Sequence, residues 1–156
     1  MKILKKISRL SGVVACFLLS GAVMAQSRFS YSADGAEVTD SRTGLVWQRC
    51  SAGQAWSGST CTGTASTFTH EGALAHAQSQ AGWRLPNVKE LSSLSDKTKS
   101  NPAIDSTAFP ATDSSSCWSS SPYVGSADYA SWVVDFQFGY VIGDYRNGYG
   151  HVRLVR

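Results

Sequence analysis

The forty residues from Cys117 to Arg156 constrain the fold most, because short alternating apolar runs succeed one another there at hairpin spacing. Trp132, Val134 and Phe136 fall on one face of an extended chain and Val133 and Asp135 on the other, a period of two. Gln137-Phe138-Gly139 suits a turn, and Tyr140 to Asp144 suits the returning partner of a hairpin. His151 to Val155 reads as a last strand. Between these runs lie loops of Ser, Gly, Asp, Asn and Tyr. Trp118, Tyr123, Tyr129, Phe138, Tyr140, Tyr145 and Tyr149 crowd the same segment. Tyrosines on strand-held loops are typical of recognition surfaces, since each offers contact area at little cost in side-chain entropy.

Upstream, Phe29 to Tyr31 and Leu45 to Arg49 read as strands, with a turn at Ser41 to Gly44. Ser57 to Phe68 is polar and aperiodic, a loop. Thr69 suits the cap of a helix from His70 to Gln80 that stops at Gly82, with Leu74, Ala75 and Gln78 as its inner stripe. Pro86 holds Trp83 to Leu85 extended. Asn87 with Glu90 three residues on forms a capping box, so a short helix from Val88 to Ser95 follows, its apolar face Val88, Leu91 and Leu94. From Asp96 to Ser116 no period is visible, and Ile104 and Phe109 serve as loop anchors. Two short helices, a mostly antiparallel sheet and a long loop region make an α+β fold.

Residues 1–25 read as a signal peptide. Lys2, Lys5, Lys6 and Arg9 precede an apolar run from Val13 to Leu19, and Ala22-Val23-Met24-Ala25 offers the small residues of a cleavage site. The run is too short for a stable membrane span. Residues 26–156 are then a single domain. Of 14 Lys+Arg against 11 Asp+Glu, four basic residues leave with the signal, so the mature chain carries 10 against 11, a net charge of −1. That balance gives a nucleic-acid partner no global electrostatic support. Export through the Sec pathway, to the periplasm, the cell surface or the medium, permits disulfides. Cys50 and Cys61 bracket a polar, glycine-bearing loop and are the expected pair; Cys117 is expected as a buried thiol beside Trp118. The cysteine spacings and scattered histidines do not make a zinc site.

Five motifs then occur in order: Asp40 with Thr43-Gly44-Leu45-Val46-Trp47; Trp83-Arg84-Leu85-Pro86-Asn87 with Glu90-Leu91; Trp118-Ser119-Ser120-Ser121; Trp132-Val133-Val134-Asp135-Phe136 with Gly139; and the terminal Val152-Arg153-Leu154-Val155-Arg156. Over residues 38–156 the chain resembles the Lcl C-terminal-domain family, named for the terminal domain of a bacterial collagen-like adhesin. The resemblance implies a C-type-lectin-like fold in which the terminal strands meet and a long loop region displays a ligand surface, in a family that includes a glycosaminoglycan-binding adhesin domain. This chain has no collagen-like repeat and no Glu-Pro-Asn or Trp-Asn-Asp triplet of calcium-dependent sugar binding.

Within those motifs Trp47, Trp83, Trp118 and Trp132 are expected in the core. Arg84, Arg153 and Arg156 are expected to tie the framework through carboxylates such as Glu90, Asp135 or Asp40. The binding candidates are the residues between motifs: Tyr123, Ser126, Asp128 and Tyr129 on one loop, and Asp144, Tyr145, Arg146, Asn147 and Tyr149 on another. Tyrosines stack on a sugar ring or a protein surface, and Asp, Asn and Arg add directional hydrogen bonds. There is no Gly-x-Ser-x-Gly elbow, and His70 and His76 lie six apart, so no catalytic residues are expected. The expectation is an exported, non-enzymatic domain for surface recognition or adhesion, without cofactor or metal, whose partner is a glycan or a cell-surface or envelope protein; a homo-oligomer is compatible with it. The alternative is a structural or assembly subunit of an envelope or fimbrial complex.

Overall fold

A computed structural model describes residues 27–125 and 129–156. The expected signal peptide, Ser126 and Asp128 lie outside the described residues. Ten elements follow in order: β1 (Phe29–Tyr31), β2 (Glu37–Asp40), β3 (Val46–Gln48), β4 (Ala55–Trp56), β5 (Cys61–Thr62), α1 (His70–Ser79), α2 (Val88–Ser92), β6 (Ser116–Pro122), β7 (Ala130–Asp135) and β8 (Tyr140–Tyr145). The strands form three antiparallel sheets, ordered β1-β2-β3, β4-β5 and β6-β7-β8. This is the α+β class the sequence implies. The β7–β8 hairpin has the expected turn, closing with Asp135 opposite Tyr140. Gly139 takes a positive φ of 76° there, which a side chain would strain.

The expected strand from His151 to Val155 is corrected. That segment changes partner at almost every residue. His151 pairs with Cys117 in parallel, Val155 bridges both Trp47 and Arg84, and the Ala52 and Gln48 amides donate to the Val152 and Leu154 carbonyls at 2.9 and 3.1 Å. No neighbour runs beside it long enough for a ladder. The result is a central stitch joining the first and third sheets through the last six residues of the chain.

Two apolar clusters fill the interior. One gathers Phe29, Val38, Trp47, Leu91, Ile104, Phe109, Val134 and Phe136; the other gathers Ala73, Ala77, Leu85, Trp118, Val133, Val152 and Leu154. Ile104 and Phe109 are fully buried, as loop anchors should be. β7 lies between the clusters, so both of its faces are covered. This corrects the simple alternation: Val133 is as buried as Val134, whereas Trp132 is only half-buried, its ring packed on Tyr123 at 4.5 Å.

The inner stripe of α1 also differs from expectation. His70, Ala73 and Ala77 are buried and Leu74 packs beside them, while Ala75 and Gln78 are exposed. The true stripe has the i, i+3, i+4, i+7 spacing but begins on a histidine, which a hydropathy reading counts as polar. In α2 the capping box is complete: Asn87 Oδ1 accepts from the Glu90 amide at 2.9 Å, and Glu90 Oε2 accepts from the Asn87 amide at 2.8 Å. The helix is shorter than expected and ends at Ser92, although Leu94 beyond it is buried.

Arg84 grips Glu90 with two bonds of 2.7 and 2.8 Å, and Arg156 reaches Glu37 at 2.6 Å. Asp40 is tied by Arg28, not by a motif arginine, at 3.0 and 2.6 Å. Arg153 has no carboxylate: fully buried, it donates to the Gln48 and Arg49 carbonyls and to the Ser51 and Thr112 hydroxyls. Burial without a counter-charge pushes its pKa down to about 10.

Cys50 and Cys61 are bridged, with Cα atoms 5.4 Å apart and a sequence separation of 11. Closing a loop of that length contributes about 3 kcal/mol in the chain-entropy treatment. The β4–β5 hairpin, absent from the sequence reading, begins inside that loop and ends one residue past it, at Thr62. Cys117 is a free, buried thiol, and burial pushes its pKa up to about 11.

Candidate functional site

The start of α1 fixes one end of the molecule. Thr69 Oγ1 accepts from the Gly72 amide at 3.2 Å and caps the helix. The His70 amide, a donor the helix cannot satisfy internally, bonds the Arg146 carbonyl at 3.0 Å. Phe68 and Gly150 exchange two backbone bonds, of 2.9 and 3.0 Å. The loop after β8 is therefore pinned at Arg146 and again at Gly150. Gly150 has no room for a side chain: a Cβ there would lie 3.0 Å from the Trp118 indole nitrogen, which itself donates to the Phe68 carbonyl at 2.7 Å. Between the pins, the Gly148 amide closes a turn onto the Tyr145 carbonyl at 2.8 Å. The second expected loop comes in beside it, with the Arg146 amide donating to the Tyr129 carbonyl at 2.8 Å.

Three clefts result, joined by shared walls. Tyr123, Ala130, Gly143, Asp144 and Tyr145 enclose about 230 Å³. Tyr129, Tyr145, Arg146 and Asn147 enclose about 300 Å³. Thr69, His70, Glu71, Leu74, Arg146 and Asn147 enclose about 490 Å³. Six sequence candidates, Tyr123, Tyr129, Asp144, Tyr145, Arg146 and Asn147, thus line one connected surface. Tyr149 stands 70% exposed and lines none of the three.

Local packing gives these side chains different freedom. Tyr123 is half-buried over Gly143, where a Cβ would sit 2.4 Å from its ring, so strand β8 is notched to seat it. Tyr129 and Tyr145 are 72% and 68% exposed. Asp144 Oδ1 accepts from the Tyr145 amide at 2.8 Å, and Arg146 Nε donates to Ser131 Oγ at 2.9 Å, which aims both charged groups. His70 Nε2 donates to the Ser119 carbonyl at 3.1 Å. Burial holds the His70 pKa below the usual imidazole value; the Ser119 carbonyl opposes that shift, and the Arg146 charge adds to it. The surface combines open phenol rings, a guanidinium, an amide and two carboxylates, a set that stacks on flat ligands and hydrogen-bonds their edges.

Sequence reasoning missed the wall from Thr69 to Leu74 and the openness of β8, whose Tyr140, Val141 and Ile142 are 56%, 42% and 44% exposed. The tyrosine-rich composition pointed at the loops. No composition signal marks a helix start that becomes a wall only through tertiary contact.

Among the described residues, no group of three or more His, Cys, Asp or Glu could hold a metal ion, and no helix is long and apolar enough to cross a membrane. A family model described as the Lcl C-terminal domain matches residues 36–156. The chain belongs to the Lcl C-terminal domain family. That span of the Lcl C-terminal domain runs from the start of β2 to the last residue and contains all three sheets except β1, both helices, the disulfide and the three clefts. No curated protein matches the chain.

Proposed function

We propose that this protein is an exported, non-enzymatic binding domain, C-type-lectin-like in fold, that serves surface recognition or adhesion through the clefts around Tyr145. One observation carries the reading: the loop after β8 is pinned at Arg146 and at Gly150 and is joined to Tyr129 by a backbone bond, so Arg146 and Asn147 are presented on a fixed backbone beside Tyr129. Pre-ordering lowers the entropic cost of binding. Membership in the Lcl C-terminal domain family supports a surface role, and the Cys50–Cys61 bridge supports an oxidising compartment. The ligand is a glycan or a protein on a cell surface or envelope, and it binds without a metal.

Arrays of glycans and of envelope proteins, probed with the mature chain in calcium and again in EDTA, test this. Binding to a defined subset that survives chelation is the expected result. Binding abolished by EDTA and restored by calcium would place an oxygen-rich cation site where none is proposed.

A second reading, an assembly subunit of an envelope or fimbrial complex, is favoured by β8 alone. β8 is the edge of its sheet, with no strand partner on its outer side among the described residues, and an added strand from another protein pairs with such an edge. Paired variants separate the two readings: array binding that Tyr145→Ala removes and Val141→Pro in β8 leaves intact favours recognition, and the reverse favours the subunit.

A further inference from the structure

The C-terminal end of α1 borders a fourth cleft, of about 300 Å³, that no part of the recognition surface includes. We propose that it is a second binding site, specific for a single uncharged sugar residue.

Its walls come from elements far apart in sequence. His76 and Gln80 lie one turn apart on and just past α1, so they share a face. The Trp83 amide bonds the Gln80 carbonyl at 3.0 Å, which folds the indole back beside that face. Opposite stand Glu37 of β2, Gln48 of β3 and Trp56 of β4. The disulfide holds this second wall, since Cys50 itself lines the cleft. The turn at Gly53 is fixed as well: a Cβ there would lie 2.3 Å from Ser66 Oγ, so only glycine lets the loop close down.

The available groups select the ligand class. Gln54 is occupied, accepting from the Ser51 amide at 3.2 Å and donating to the Ala111 carbonyl at 3.1 Å. The Glu37 carboxylate is already paired with Arg156 at 2.6 Å, so it gives no net pull on a cation. Among the described residues, the Gln48 amide, the His76 ring nitrogens and the Trp83 indole N–H make no hydrogen bond inside the fold. Each half-buried indole carries a guanidinium on one side, Arg49 over Trp56 at 3.9 Å and Arg156 over Trp83 at 4.7 Å. What remains of the rings beside open amide groups suits a ligand with apolar C–H faces and a rim of hydroxyls. A saccharide has both. A polyanion finds no free cation here, and an aliphatic ligand would strip water from the amides without replacing their hydrogen bonds. The volume, at the small end for ligand sites, fits one ring better than an extended oligosaccharide.

The site is independent of the Tyr145 surface, because α1 separates them: Thr69 to Leu74 line one and His76 and Gln80 the other. Titration of the ¹⁵N-labelled mature protein with the methyl glycosides of glucose, galactose, mannose and N-acetylglucosamine tests it. Saturable shifts in the Trp83 indole, the His76 ring and the Gln48 side-chain amide are expected with at least one glycoside. Gln48→Ala and His76→Ala should each weaken that titration at least tenfold with unchanged melting, and Tyr145→Ala should leave it alone; the Gln80 amide already donates to Ser79 Oγ at 3.1 Å. Titrations with all four glycosides that leave these signals in place would overturn the proposal. So would an affinity that Gln48→Ala and His76→Ala both retain, or one that Tyr145→Ala removes.

Discussion

Strands β7 and β8 are six residues each, lie side by side in unbroken antiparallel register and share one turn, yet they meet opposite environments. β7 has no exposed residue, because β6 and β8 flank it and an apolar cluster covers each face. β8 has no buried residue, because it is the edge. Composition does not separate them: Tyr140-Val141-Ile142 is as apolar as Trp132-Val133-Val134. Position in the sheet decides, and it divides the hairpin into a strand that holds the fold and a strand that leads into the candidate surface.

The largest expected effect falls on β7's side of the turn. Phe136→Ala removes a ring that is 1% exposed and should cost about 3–5 kcal/mol of stability. Tyr140→Ala, across the turn, should cost under about 0.5 kcal/mol. Urea unfolding of both measures the contrast, and equal losses would break it.

Next comes a change that touches neither strand. Replacing Cys50 and Cys61 by serine should lower stability by about 3 kcal/mol through the unfolded chain. Because β7 lies outside the bridged loop, its amides should stay the slowest to exchange hydrogen in this variant. A β7 that exchanges as fast as β8 would mean that the bridge, and not the two clusters, protects it.

Trp132→Ala sharpens the comparison from within β7. A fully buried indole would cost as much as Phe136; this one is half-buried against Tyr123, so roughly 2 kcal/mol is expected. A loss as large as that of Phe136→Ala would place Trp132 in the core after all.

A smaller effect concerns the helix start that pins the loop after β8. The folded pKa of His70 lies below its ordinary 6.5, so the unfolded chain takes up this proton more readily. Its contribution is complete above about pH 6.5 and is lost as pH falls from there through the folded value. Melting temperature should therefore drop between neutral pH and pH 5, less so in His70→Gln. Asp40 and Glu90, whose pKa values are lowered, lose their contribution only at more acidic pH. An unchanged pH profile in His70→Gln would remove the assignment.

Much of this was legible in the sequence, and for identifiable reasons. The disulfide, the capping box of α2, the β7–β8 turn and the buried loop anchors Ile104 and Phe109 each rest on local chemistry or on strong apolar character. Six candidate residues that line the clefts were read from composition alone. What escaped depended on long-range contact. The inner stripe of α1 begins at His70, which is buried through distant contacts, with Trp118 at 5.3 Å between rings and the Ser119 carbonyl at 3.1 Å. The last segment looks like a strand by alternation, but its partners change too quickly for a ladder. Tyr140 to Asp144 reads as the returning partner of a hairpin, and nothing local marks that strand as the edge. Arg153, expected like the other motif arginines to meet a carboxylate, finds carbonyls and hydroxyls instead.

A binding measurement made beside a melt tests the division of the hairpin most directly. On the array ligand that the mature chain binds best, Tyr129→Ala, Tyr145→Ala and Asn147→Ala should each weaken binding by roughly 1–2 kcal/mol, about five- to thirtyfold. Each should melt within about 0.5 kcal/mol of the parent. Variants that bind as the parent does, or that lose stability on the scale of Phe136→Ala, would contradict the division of the hairpin into a supporting strand and a recognition surface.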